Sequence, residues 1–176
     1  MALHYEAELT KAMTMLASKG AVFFGQSIKA GGTLMHRTFR DVPQDRLIEM
    51  PVAENFQLGL CTGVALAGGL PVSVFPRINF LLEAISQLVS HLDRLPIYSH
   101  GRYKPKVIIR TSVATANPLN PGEQHLGDHT EAIRMMLKTV VVSQLVGAEQ
   151  VVPAYERAMA RDGSTLLVEY AQLYGG

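Results

Sequence analysis

The chain has 176 residues, 48% of them apolar and 18% charged, with 16 basic and 15 acidic side chains for a formal net charge of +1. That length buries a substantial core in one domain, the composition excludes a disordered chain, and the balanced charge leaves no electrostatic footprint for nucleic acid or an anionic membrane. A single cysteine, Cys61, excludes an intrachain disulfide and, with no leader-like start, points to a reducing, cytoplasmic setting.

Taken in chain order, residues 4–20 (HYEAELTKAMTMLASKG) read as an amphipathic helix, with Leu9, Met13 and Leu16 on one face and Gly20 as its stop. AVFFGQS is a short buried strand, residues 28–45 a loop with paired glycines, and RLIEM a second strand. Residues 54–67 predict a helix that is apolar on nearly every side, suited to a large core or a subunit interface. The uncharged run behind Glu54 is long enough to suggest a membrane span. Its glycines, its polar residues and Pro71 argue instead for a buried helix followed by the strand LPVSVF.

Residues 79–95 predict one long amphipathic helix with Leu81, Ile85, Leu88, Val89 and Leu92 in a stripe. After a linker (PIYSHGRYKP) come the strand KVIIRTS and a long loop over 113–128, and long loops in compact domains are more often functional than filler. The helix HTEAIRMML, the strand TVVVS, the helix 147–163 and the strand STLLVEY complete the chain. Strand and helix alternate, and the strand cores are rich in Val, Ile and Leu. This predicts an α/β fold: a three-layer arrangement with about six mostly parallel strands covered by helices on both faces, as one domain over 1–176. In such sheets ligands sit outside the carboxyl ends of the strands, where Glu54, the residues after Phe75 and the loop around Gln124 and His125 all follow strands.

Phosphate-binding motifs do not explain the chain. GVALAGG is not a spaced G-x-G-x-x-G, and no G-x-x-x-x-G-K-S/T occurs. His125 and His129 are four apart, but Gly127 lies between them and no H-E-x-x-H exists, so they read as solvated or substrate-facing and no metal ligand is assigned. Cys61 reads as a packed thiol. Phe75 and Phe80 flank a strand-to-helix turn and by themselves are core residues as readily as a ligand platform. By itself Glu54 is a first-turn acid favoured by the helix dipole.

The stretch IEMPVAENFQLGLCTGVALAGGLPVSVFPRINFLLEAISQLVSHLDRL resembles the beginning of the beta subunits of 2-oxo acid dehydrogenases, within the transketolase-like group of thiamine diphosphate enzymes. The similarity continues through the EQH step, the VVVS strand and the closing LVEYAQLYG. It implies a pyrimidine-binding domain in which Glu54 is the catalytic acid. Phe80 contacts the aminopyrimidine ring, with Phe75 beside it, and His125, with His129 as its rival, serves the reaction centre. Such a domain needs a carboxylic acid against a pyrimidine nitrogen, so that a proton shift activates the thiazolium carbon as an electron sink.

The family's second module holds the diphosphate through magnesium with Gly-Asp-Gly and a downstream Asn. The sequence offers only GDH and RDGS. The resemblance therefore implies a split enzyme. Its cofactors are thiamine diphosphate and Mg2+, the metal held mainly by a partner alpha-type subunit. A two-plus-two heterotetramer is expected, self-associating through the small-residue helix. The C-terminal domain of the dehydrogenase beta subunits is expected to be absent, since the sequence stops at Gly176. Expected activities are acyl or ketol transfer from a 2-oxo acid or ketose. A 2-oxo acid decarboxylase subunit and a non-catalytic binding module that keeps the fold stand as alternatives.

Overall fold

The computed structural model describes residues 3–116 and 120–175. Its sheet has six strands in the order β2-β1-β3-β4-β6-β5, every neighbouring pair parallel. The strands are β1 (Val22–Gly25), β2 (Leu47–Glu49), β3 (Pro71–Phe75), β4 (Ile108–Val113), β5 (Val141–Gln144) and β6 (Thr165–Tyr170). Alternate residues of each strand feed two separate cores. Phe23, Val72, Val74, Ile108 and Leu167 face one, and Phe24, Phe75, Ile109, Leu166 and Val168 the other.

The first core is closed by α1 (Tyr5–Ser18), which brings Leu9, Met13 and Leu16, and by α6 (Ala148–Ala160). The second is closed by α2 (Glu54–Leu66) and α3 (Ile78–Leu81), with α5 (Thr130–Met136) beside them. Each fully buried Leu or Phe contributes about 2 kcal/mol of transfer free energy. The three-layer α/β fold expected from the Val- and Ile-rich strands is the fold found, with strand ends displaced by one or two residues. Among the described residues no helix is long and apolar enough to cross a membrane.

One expectation is corrected. The single helix over 79–95 is broken: α3 gives way to a 3-10 turn at Leu82–Ala84, a π turn over Gln87–Leu92 and a short α4 (Leu95–Tyr98). The apolar stripe survives, since Leu81, Leu88 and Leu92 are buried. The wider turn, closed by Asp93 N–H donating to Leu88 O at 2.9 Å, turns Asp93 inward. There its buried carboxylate accepts the backbone N–H groups of Lys138 at 2.9 Å, Thr139 at 2.7 Å and Val140 at 2.9 Å, just before β5. Hydrophobic periodicity does not report such a break, because it follows side-chain directions rather than backbone bonds. Within one copy, α2 is covered on one face only. Glu54, Gln57, Leu58, Cys61 and Thr62 are buried, while Phe56, Gly63 and Leu66 are exposed.

Candidate functional site

Three chain crossings at the carboxyl edge of the sheet build the site. After β2 the chain runs through Pro51 into α2, whose first residue is Glu54. The positive end of the helix dipole favours a carboxylate there. Glu54 is only 7% exposed. Its Oε1 accepts a hydrogen bond from Gln26 Nε2 at 3.1 Å, just past β1. Its Oε2 has no hydrogen bond among the described residues and is not sealed from solvent. One turn on, the buried Gln57 Nε2 donates to Phe24 O at 3.2 Å, Ser73 Oγ at 3.1 Å and Val74 O at 3.1 Å, which pins α2 onto β1 and β3. Gln57 Oε1 is left without a partner.

The second crossing follows β3. Phe75 is 1% exposed and packs in the core with Phe24, Met50 and Ile78. It lies beneath the site as support and offers no ring face at its surface, in contrast to the ligand contact expected of it. Phe80 in α3 is half-buried, with the Arg77 guanidinium 5.7 Å from its ring centroid. α2 packs on β3 and on the helical run behind α3.

The third crossing is the long loop after β4. Gly122, at φ +98°, takes the left-handed conformation that lets the chain enter the 3-10 turn Glu123–His125. That turn sets the His125 ring against Phe80, centroids 5.4 Å apart and planes at 64°. His125 Nδ1 lies 3.2 Å from Asn79 Oδ1. With a carbonyl oxygen accepting, Nδ1 carries the proton and Nε2 is the free acceptor. His129 is not part of this cluster: it stands at the start of α5 with its ring folded over Gly127.

Beside Arg77 the edge opens into a cavity of about 360 Å3, lined among others by His36, Arg37, Arg77, Ser112 and Tyr174. Arg77 and His36 face it, as does Arg37, which is paired with the Glu6 carboxylate, so Arg77 is the cation it offers an anionic group among the described residues. Sequence reasoning missed Gln26, Asn79 and Arg77. The one signal for them was position, immediately after a strand whose end faces the ligand edge.

The donor set fits the pyrimidine half of thiamine diphosphate: a nearly dry carboxyl with one oxygen unpaired among the described residues, and a half-buried aromatic ring on the helix after β3. Among the described residues no group of three His, Cys, Asp or Glu side chains could hold a metal ion.

No family model matches the chain. It is 25% identical over 142 residues to the pyruvate dehydrogenase E1 component subunit beta of Chaetosphaeridium globosum, covering 79% of this chain and 41% of that protein. It is 25% identical over 132 residues to the same subunit of Cyanidium caldarium, covering 73% and 38%. Identity to the chloroplastic beta-4 subunit of Oryza sativa subsp. japonica is 26% over 132 residues, covering 73% and 32%. The chain thus spans well under half the length of these curated relatives. Among solved structures it superposes on the inactive beta4 tetramer of a split gene transketolase with a TM-score of 0.70 at 18% identity, covering 96% of this chain and 51% of that one. For the transketolase of Campylobacter jejuni subsp. jejuni the TM-score is 0.71 at 13% identity, covering 96% and 26%. In sequence the chain is similar to pyruvate dehydrogenase E1 beta subunits, and its fold matches part of the transketolase structures.

Proposed function

We propose that the chain is the pyrimidine-binding subunit of a split thiamine diphosphate-dependent enzyme. Its partner is an alpha-type subunit that holds the diphosphate and Mg2+ through a Gly-Asp-Gly motif and a downstream Asn. The observation that carries this reading is the Glu54 carboxyl at the ligand edge, with one oxygen held by Gln26 and the other without a hydrogen bond among the described residues. A helix-dipole acid with no further role needs neither near-complete burial nor a dedicated amide partner.

Bound thiamine diphosphate supplies the electron sink that lets an acyl or ketol unit leave a 2-oxo acid or ketose and pass to an acceptor. Glu54 Oε2 holds a proton against a pyrimidine ring nitrogen, in apolar surroundings that strengthen that hydrogen bond. Phe80 gives the ring a flat contact, and Phe75 fixes the floor beneath it. His125, oriented by Asn79, keeps Nε2 ready to take or return a proton on the substrate side. It is preferred to His129 because its ring touches Phe80. Arg77 and the cavity beside it receive the anionic end of the substrate.

The sequence relatives favour 2-oxo acid chemistry, and the fold neighbours favour ketol transfer. The assembly is a two-plus-two heterotetramer in which two copies of this chain meet through the exposed face of α2. The split gene transketolase is described as an inactive beta4 tetramer, the behaviour this reading expects of the chain without its partner. The test is reconstitution with a Gly-Asp-Gly-bearing partner. Turnover that requires thiamine diphosphate and Mg2+ and is lost in Glu54→Gln supports the reading. Unchanged turnover in Glu54→Gln, or full activity of the chain alone, overturns it.

A further inference from the structure

The turn after β1 is built with unusual constraint for an exposed segment. A Cβ at Gly25 would stand 2.7 Å from the Val74 carbonyl oxygen and 2.9 Å from Val74 Cβ, so β1 ends closer to β3 than any side chain allows. Gln26 follows, with its amide on Glu54 Oε1. Ser27 then takes φ +54°, a left-handed conformation that costs a non-glycine residue energy and persists only where its surroundings enforce it.

The enforcement comes from Glu49, the last residue of β2. Its carboxylate accepts four successive backbone N–H groups: Ser27, Ile28 at 3.1 Å, Lys29 at 2.8 Å and Ala30 at 3.4 Å. Successive N–H groups turned inward form an anion-binding concavity. Here a carboxylate of the chain itself fills it.

We propose that Gln26 is a positioning residue for Glu54, locked onto it by the Glu49-filled turn. This rests on the reading of Glu54 as the activating acid. The Gln26 amide occupies Oε1, fixes the plane of the carboxyl group and leaves Oε2 as the oxygen that meets the ligand. An amide neither takes nor supplies a proton under these conditions. The Gln26 side of the pair therefore offers Glu54 a fixed hydrogen bond and no route for proton exchange.

The test has two arms. In the first, the reconstituted enzyme is assayed with saturating thiamine diphosphate and Mg2+. Gln26→Ala is expected to lower kcat about tenfold or more while the substrate KM stays within about twofold. Gln26→Glu can donate to Glu54 only when its own carboxyl is protonated, so its kcat should recover as the pH is lowered, a dependence a merely structural contact would not produce. In the second arm the purified chain carries 15N, and the Gln26 side-chain amide is identified by its loss in Gln26→Ala. Its resonances should shift and exchange faster with water in Glu54→Gln, and in Glu49→Gln the amides of residues 27–30 should lose protection together with it. Unchanged kcat in Gln26→Ala overturns the proposal. So does a Gln26 amide indifferent to Glu54→Gln. That second arm needs neither cofactor nor turnover, so it decides the Gln26 pairing even if the thiamine diphosphate reading itself fails.

Discussion

The rings of Phe80 and His125 meet edge to face with centroids 5.4 Å apart, joining the helix after β3 to the loop after β4. Asn79, the neighbour of Phe80, orients the same imidazole through Nδ1. In the proposed function this histidine serves proton transfer, which contributes roughly 10²- to 10⁴-fold to turnover where it operates. His125→Ala is therefore expected to lower kcat of the reconstituted pair by about 10²-fold or more, and Asn79→Ala by a smaller factor through loss of orientation. His129→Ala, outside the cluster, should leave kcat within about threefold. Steady-state kinetics of the three variants check this, and a larger effect from His129 than from His125 would reverse the assignment.

Arg77 is the cation shared by the Phe80 ring and the 360 Å3 cavity. Its charge should bind the substrate anion equally in the ground and transition states, a pattern that raises KM and spares kcat. Arg77→Ala is expected to raise the substrate KM about tenfold or more, in keeping with loss of a charge-assisted hydrogen bond. Arg77→Lys, a point charge without the planar fork, should recover only part of it. A fall in kcat with KM unchanged would move Arg77 from substrate binding to chemistry.

The sheet was legible because its strands are short apolar runs rich in Val and Ile, separated by turn residues. Glu54 and Phe80 came from the resemblance, since by composition one reads as a helix-dipole acid and the other as core. Gln26, Glu49 and Asp93 were illegible for a common reason: each acts through backbone groups or a partner far along the chain, and no local pattern encodes that. Arg110 and Glu169 did leave a trace: Glu169 is the single charge of STLLVEY, and Arg110 is the one charge in KVIIRTS beyond its opening lysine. Two lone opposite charges in neighbouring buried strands are a signal for an internal pair.

That pair is the most consequential polar contact of the first core. Arg110 Nε donates to Glu169 Oε1 at 2.6 Å and Nη2 to Oε2 at 3.0 Å, with both side chains fully buried. Thr38 accepts from Nη1, and the Tyr155 and Tyr174 hydroxyls donate to the carboxylate. Removing one partner leaves an uncompensated buried charge, at a cost of about 3–5 kcal/mol. Glu169→Gln should lower the unfolding free energy by that order in urea denaturation. Arg110→Met combined with Glu169→Leu should recover part of it. A near-neutral single variant would mean that water reaches the pair.

Alkaline lability follows from burial. Desolvation pushes the Cys61 thiol up to about 12. Desolvation first, then the Glu169 charge, raises Tyr155 and Tyr174 well above the usual tyrosine range. Groups raised in this direction keep their protons in the folded chain where the unfolded chain gives them up. Their contribution is fully present below the unfolded thiol value of about 8.5 and is lost progressively as the pH climbs toward 12. Urea midpoints should therefore fall between about pH 8 and pH 10.5. Over the same range, a thiol reagent should label Cys61 only as fast as the chain opens. Equal midpoints at the two pH values would contradict the burial of these groups.

Phe56 tests the proposed use of α2 as a self-association face. It is 60% exposed on a helix whose opposite face is pinned to the sheet by Gln57, and Gly63 and Leu66 are exposed with it. A large aromatic beside a glycine gives a ring and a close backbone approach, the two ingredients of helix-to-helix packing between subunits. Covering one such ring contributes about 2 kcal/mol per copy, so a charge in its place should break a dimer that depends on it. Phe56→Glu is expected to shift the purified chain toward monomer in light scattering while its circular dichroism stays unchanged, because Phe56 takes no part in either core. The same variant should lower cofactor-dependent turnover of the reconstituted pair, since the proposed two-plus-two assembly depends on that face. An unchanged oligomer in Phe56→Glu would place the self-association surface elsewhere on the chain.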